Sequence, residues 1–137
     1  MNPIIRIVYS EILQARGDTN AVGLPSLIAA VGNIPHEQEF QIVGYLNNAP
    51  NSGARGSFAR DFFRQDDTTI YLPYGNNTDG KYIWPTELAY YVQKYHVRLP
   101  EKFVQHMASR NWTPPDEKSF NYSEFWERLR AESDSHV

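Results

Sequence analysis

Apolar residues along this chain recur at two spacings, and the change between them marks where helix gives way to strand. Ile5, Val8 and Ile12 fall at i, i+3 and i+7, one face of a helix. Asn2 and Pro3 ahead of them read as an N-cap and a first helical position. Arg16 and Gly17 read as the stop, with glycine supplying a left-handed cap. After a loop over 18–23, residues 25–31 predict a short helix closed by Gly32 and Asn33. Pro35 opens another, with Glu37 and Glu39 in a first turn where the helix dipole favours negative charge. Phe40, Val43 and Leu46 are its expected buried face, and the Asn, Pro, Ser and Gly residues of 47–53 break the chain.

The middle of the chain changes period. Thr68, Thr69, Ile70, Tyr71 and Leu72 are mostly β-branched or aromatic and predict a strand. Pro73 cannot donate to a ladder, which puts that strand at an edge or ends it there. Residues 75–80 carry turn chemistry, and Lys81, Tyr82, Ile83 and Trp84 predict a returning strand, completing a hairpin. So small a sheet is not stable alone and must pack on helices.

Helical spacing then resumes. Pro85, Thr86 and Glu87 lead into Leu88, Tyr91, Val92 and Tyr95, the cleanest helical pattern in the chain. Residues 96–99 connect to a helix opened by Pro100 and Glu101, with Phe103 and Met107 on one face. Residues 112–115 end that unit. Tyr122, Phe125, Trp126 and Leu129 predict a last helix with Ser123 as its cap, and a polar tail expected to fray from about residue 132. The expectation is an α+β fold: one mostly helical domain over residues 1–137, about five helices with a small β-hairpin packed on them.

Composition narrows the function classes. The 137 residues include no cysteine, which excludes disulfides, thiolate metal sites and a cysteine nucleophile, and fits a reducing compartment. Residues 1–13 carry Arg6 and Glu11 and lack the apolar stretch of a signal peptide, so a cytoplasmic location is expected. No apolar run approaches the roughly 18 residues that span a bilayer. Three Asn-x-Ser/Thr triplets, at Asn76, Asn111 and Asn121, are read as accidental in that setting.

Net charge is −3, which does not suit a general polyanion binder. The charge is unevenly spread. Residues 93–110 hold four basic side chains, Lys94, Arg98, Lys102 and Arg110, against one acid, Glu101. Residues 1–92 hold six basic and nine acidic side chains, and residues 111–137 three and six. The basic island spans two helices, in outline a helix-turn-helix, and marks Lys94, Arg98, Lys102 and Arg110 as a candidate nucleic-acid patch. The plainer alternative is a solvated face of an αα-hairpin, and Glu101 at the start of the second helix would meet phosphate.

Motifs of chemistry fall short one by one. Residues 75–81 match G-x-x-x-x-G-K, but Tyr82 stands where magnesium ligation needs Ser or Thr, and a strand rather than a helix follows. His36 and Glu37 begin H-E-x-x-H, but position 40 is Phe. His96, His106 and His136 are too scattered for a local zinc site, so no metal and no cofactor are expected. No Ser sits in a G-x-S-x-G elbow, and Asp66 and Asp67, being adjacent, would point to opposite faces of a strand. The glycines, arginines and aromatics of 53–64 suit either a phosphate-contacting loop or a loop followed by a segment that buries Phe62 and Phe63. No enzyme activity is expected.

The run Asp79, Gly80, Lys81, Tyr82, Ile83, Trp84, Pro85, Thr86, Glu87, Leu88, Ala89, Tyr90, Tyr91, Val92, followed by Tyr95, Arg98, Leu99, Pro100 and Phe103, resembles a segment of small bacterial immunity proteins encoded beside polymorphic or contact-dependent toxins. Arg60, Asp61, Phe62 and Phe63 fit the same pattern. The resemblance covers about a third of the chain and carries no catalytic motif. It implies a cytoplasmic antagonist that binds a cognate toxin stoichiometrically at or near its active site. An acidic, aromatic surface would meet such a toxin, which places Asp66, Asp67, Tyr71, Tyr74, Asp79, Tyr82 and Trp84 as the expected interface. The alternative expectation is a nucleic-acid-associated regulator using the island at 93–110.

Overall fold

A computed structural model describes residues 3–17, 23–51, 58–64, 71–73 and 75–135. In chain order the elements are β1 (Ile5–Arg6), α1 (Ser10–Ala15), α2 (Leu27–Ala30), α3 (Glu39–Asn48), β2 (Phe58–Arg60), a 3₁₀ turn (Phe62–Arg64), β3 (Tyr71–Pro73), β4 (Asn76–Thr78), β5 (Tyr82–Pro85), α4 (Leu88–Tyr95), α5 (Glu101–Ser109) and α6 (Tyr122–Ser135). The fold is α+β and mostly helical, as the spacing predicts.

β5 is the centre of the fold. It pairs in parallel with β1 and antiparallel with β4, so both its edges are covered. Its side chains alternate in facing, as a strand's must. Tyr82 and Trp84 enter the main core with α3, α4 and α5, while Ile83 joins Ile4, Phe125 and Leu129 of a second cluster beneath α6. The sheet is therefore sandwiched between α6 and the other long helices. Trp84 is 1% exposed, and its indole N–H donates to Leu46 O at 3.2 Å.

Three expectations give way here. The hairpin exists, but its partner strand is β4, built from the residues expected to turn. The turn is residues 79–82, where Gly80 takes φ +93°. Asn77 and Thr78 tolerate a buried strand because their polar groups are matched. Asn77 Nδ2 donates to Ala49 O at 2.9 Å, Thr86 Oγ1 donates to Asn77 Oδ1 at 2.8 Å, and Thr78 Oγ1 donates to Tyr82 O at 2.7 Å. β3 instead pairs with β2 in a separate ribbon, with Pro73 at its end. At the N-terminus, Ile4, Ile7 and Tyr9 are buried from an extended chain, and the helix begins only at Ser10. The pull of β5's open edge outweighs the helical spacing of Ile5, Val8 and Ile12: Ile5 N–H donates to Lys81 O and Ile7 N–H to Ile83 O, both at 2.8 Å.

In α3 the buried face is Ile42, Tyr45 and Leu46, continued by Ala49, at i, i+3, i+4 and i+7. Phe40, two positions from Ile42 and hence about 200° around the helix, is 91% exposed. Val43 is half-buried against the core. α4 follows the predicted pattern, with Leu88, Ala89, Tyr91 and Val92 buried, and ends where His96 takes φ +53° and donates its N–H to Val92 O. α5 buries Phe103 and Met107 as expected. α6 is capped by Asn121, whose Oδ1 accepts from the Glu124 N–H at 3.0 Å, two residues before the expected cap Ser123.

Two buried carboxylates stitch the helix ends. Glu11 accepts from the Leu27 N–H at 2.5 Å and from the Ser26 and Ser10 hydroxyls at 2.7 and 2.9 Å, so a side chain of α1 caps α2. Arg16 grips Glu87 with two nitrogens, at 2.8 and 2.6 Å, and donates to Gly75 O at 2.7 Å. That fork ties α1 to the start of α4.

Candidate protein-binding surface

Three of the seven residues of the expected interface are interior. Asp79, Tyr82 and Trp84 are 8%, 4% and 1% exposed and belong to the interior. The Tyr71 backbone lies in β3, and Asp66, Asp67 and Tyr74 lie outside the described residues. Asp79 is a structural hub. Its Oδ1 accepts the Lys81 and Tyr82 N–H groups at 2.9 and 2.7 Å, closing the β4–β5 turn. Its Oδ2 accepts the Tyr45 hydroxyl of α3 at 2.6 Å and lies 3.1 Å from His106 Nε2 of α5. Burial and the Asp79 carboxylate push the Tyr45 phenol far above its ordinary range, so it stays a donor.

A second carboxylate is used the same way. Asp61, fully buried, accepts the Tyr90 and Tyr95 hydroxyls at 2.7 and 2.5 Å and the Phe63 N–H at 2.8 Å. Burial and Asp61 hold the Tyr90 phenol up to about 12. Tyr91 Oη accepts the Phe62 N–H at 2.9 Å. Of the stretch 53–64, residues 53–57 lie outside the described residues, and residues 61–63 are pinned to α4: Phe63 packs on Tyr91 and Tyr95, with ring centroids 6.2 and 4.5 Å away. Every buried side-chain nitrogen and oxygen among the described residues has a hydrogen-bond partner. Histidines are spent singly: His96 Nδ1 sits 2.8 Å from Glu39 Oε1, and His36 Nδ1 accepts the Gln38 N–H at 3.0 Å. Among the described residues no three metal-binding side chains converge, and no helix is long and apolar enough to cross a membrane.

Seven large apolar side chains are exposed among the described residues; Ile5, Phe58 and Trp126 stand apart in sequence from the other four. Ile28, Val31, Ile34 and Phe40 are all exposed, Ile34 to 68%. Each lies within two residues of a group bonded to one strip of chain, Tyr95 to Arg98. Arg98 N–H donates to Ala30 O at 2.7 Å, Gly32 N–H to Tyr95 O and His96 O at 3.2 and 3.1 Å, and Arg98 Nη2 to Ile34 O at 2.7 Å. Glu39, beside Phe40, meets His96. The chain from Ala30 to Ile34 and the Glu39 carboxylate are thereby held against that strip.

A groove of about 450 Å³ opens beside this strip. Ile42, Val92, Val97, Leu99, Val104 and Trp112 supply apolar walls, and His36, Gln38, Arg98, Glu101 and Gln105 supply polar ones. Trp112 reaches it through a strained backbone: Asn111 and Trp112 both take positive φ, +55° and +57°, as α5 ends. A bulky residue in that region costs about 1–3 kcal/mol.

Of the expected nucleic-acid patch, all four cations are exposed but spread out. Lys94 is in the last turn of α4 and Arg98 in the connection. Lys102 and Arg110 stand at opposite ends of α5, Arg110 with its Nε donating to Thr113 O at 3.2 Å. The groove is not legible in the sequence because its walls come from α3 and the residues before it, α4, the α4–α5 connection, α5 and the turn after it. The legible signal was the spacing Ile42, Tyr45, Leu46, which competes with Phe40, Val43, Leu46 for the same helix.

No protein-family model matches the chain, and no curated protein or solved structure matches it either.

Proposed function

We propose that this chain acts by stoichiometric binding to another protein, and that the partner is a bacterial toxin it neutralises in the cytoplasm at or near the toxin's active site. The observation that carries the binding function is that four of the seven exposed large apolar side chains among the described residues, Ile28, Val31, Ile34 and Phe40, fall between residues 28 and 40. Isolated apolar side chains on a surface are ordinary, whereas several in one region suit a partner's contact. Its buried carboxylates, tyrosines and histidines are consumed in joining helix to helix, which favours a rigid binding scaffold over a reacting centre. The toxin as partner rests on the resemblance of the segment at 79–103 to immunity proteins. The interface shifts from the acidic hairpin to the 28–40 face.

The test is co-expression with the product of a toxin gene beside this one. A one-to-one complex and protection of growth are expected. Ile34→Asp with Phe40→Asp, both at exposed positions, should weaken the complex at least about 30-fold, the loss typical of a contact hot spot. A neighbouring toxin that neither co-purifies with the chain nor loses activity in its presence overturns the proposal.

A further inference from the structure

The central sheet has an edge that the described chain leaves unpaired. β1 is an outer strand, in the order β1-β5-β4. Ile5 and Ile7 turn their N–H groups inward, to Lys81 O and Ile83 O, both at 2.8 Å. Successive residues of a strand direct their backbone groups to opposite edges, so Arg6 turns its N–H and C=O outward. Further along, that outer edge is covered: the Ser10 N–H donates to Pro25 O at 3.0 Å. Before that point the backbone groups of Arg6, and of Val8 two residues on, meet no partner among the described residues. An unpaired strand edge is a template for another chain, and folds usually cover or blunt it. Beside this edge lies a hollow of about 330 Å³, walled by Val8, Tyr9, Leu24, Pro25 and Pro100. Arg6 is the single charged residue of its lining. The Arg6 side chain is exposed and meets no carboxylate among the described residues. Glu101, next in sequence to Pro100, lines the other groove, at Val104 and Trp112, and accepts from Gln105 Nε2 at 3.4 Å.

We infer that this edge receives an extended segment of the protein partner, which adds to β1 as a fourth strand of the sheet. Its backbone pairs with Arg6 and Val8, one apolar side chain fills the hollow, and a carboxylate faces Arg6. Strand addition is a general mode of peptide recognition, in which main-chain bonds supply affinity and side-chain pockets supply specificity. The open backbone groups select an extended chain over a helix, because a helix spends its own N–H and C=O groups internally. The lining selects further, since an apolar wall suits an apolar side chain and a cation with no acid beside it suits a carboxylate. The edge is continuous with the 28–40 face. Leu24 and Pro25 lead into α2, which carries Ile28, and the Tyr9 hydroxyl donates to Arg98 O at 3.0 Å, in the strip 95–98 that holds that face. The inference rests on the protein-binding function proposed above and adds the conformation and chemistry of the segment that the partner contributes.

A short capped peptide of alternating valine and threonine with one central glutamate tests it, titrated into the full chain and followed by nuclear magnetic resonance. The Arg6 and Val8 amide signals are expected to shift and to exchange more slowly with solvent. N-methylation of the peptide at its pairing residues should weaken binding at least about tenfold, since it removes the strand's donors and leaves carbonyls on β1 without partners. Replacing the glutamate by lysine should weaken it about two- to fivefold, the range of an exposed ion pair. Arg6→Pro deletes the outward N–H where an edge strand tolerates proline, and should weaken the glutamate peptide at least about fivefold, with near-ultraviolet dichroism reporting whether the fold survives. Arg6→Glu keeps the N–H and should reverse the preference between the glutamate and lysine peptides. Equal binding of the plain and N-methylated peptides, or shifts confined to residues away from Arg6 and Val8, overturns the inference. So does a dimer of the chain that a folded Arg6→Pro abolishes, which gives the edge to a second copy. So does a partner complex that is lost with Ile34→Asp and Phe40→Asp but unaffected by Arg6→Glu and by a folded Arg6→Pro; in that case protein binding itself stands.

Discussion

At the scale of single residues the molecule relies on buried carboxylates that replace missing backbone partners, and Glu11 shows how the balance is struck. Burial works to raise its pKa, but hydrogen bonds from Ser26, Leu27 and Ser10 outweigh it and leave the carboxyl below its ordinary value. A folded-state pKa below the unfolded one means that the group stabilises the fold above the unfolded value, near 4.3, and that this contribution fades as pH falls through the folded value. Glu11→Gln keeps the shape but removes the charge that three donors converge on. It should cost about 1–3 kcal/mol at pH 7 by urea denaturation, with the gap to wild type closing below about pH 4. A variant as stable as wild type at pH 7, or a gap indifferent to pH, would show that the cap on α2 is incidental. Neither Glu11 nor Asp61 announces this role in the sequence, because apart from the nearby Ser10 and Phe63 their donors lie 15 or more residues away, on Ser26 and Leu27 for one and on Tyr90 and Tyr95 for the other.

Elements were legible wherever the signals that start, stop and face them are local. α4 has Pro85 before it, a four-position apolar face and a left-handed residue after it, and it forms as its spacing predicts. α5 repeats the case. β1 and β4 were not legible, since each exists only because β5 offers an edge, and the polar residues of β4 are matched by Ala49 and Thr86 from elsewhere in the chain. The binding surface was hidden for a related reason: the face of α3 is decided by what α4 packs against, and that choice buries Ile42 and expels Phe40. The seam between α2 and the α4–α5 connection can be tested at its tightest point. A Cβ on Gly32 would stand 2.7 Å from His96 O and 3.0 Å from Arg98 Nε. Gly32→Ala should therefore separate the two segments and cost about 1–3 kcal/mol, as overpacking does. Gly44, on α3, meets only Asn48 Nδ2 at 4.0 Å, so Gly44→Ala should stabilise by about 0.5–1 kcal/mol through helix propensity alone. Thermal melts of the two variants moving in the same direction would contradict this account of the seam.

Across the whole molecule, the groups that join one element to another are disproportionately phenols. Tyr9 donates to Arg98 O, Tyr45 to Asp79, and Tyr90 and Tyr95 to Asp61, so these four hydroxyls tie the N-terminal segment to the α4–α5 connection, α3 to the β4–β5 turn, and α4 to the residue before the 3₁₀ turn. Burial pushes Tyr9 up to about 12, and burial reinforced by Asp61 does the same for Tyr90. Tyr45, Tyr91 and Tyr95 are raised further still by the same causes, burial foremost. An unfolded tyrosine ionises near pH 10. Between that value and the folded values the folded chain holds more protons than the unfolded one, so stability falls as pH rises, by about 1.4 kcal/mol per pH unit for each such phenol. Below about pH 9.5 these residues impose no pH dependence. From about pH 10 to 12 their slopes add, and a domain of ordinary stability should unfold cooperatively within that window. Absorbance at 295 nm should therefore rise in step with the loss of near-ultraviolet dichroism, ionisation and unfolding being one event. Five or more tyrosines titrating smoothly near pH 10 while the dichroism stays native would mean that these phenols lie in water and do not hold the molecule together.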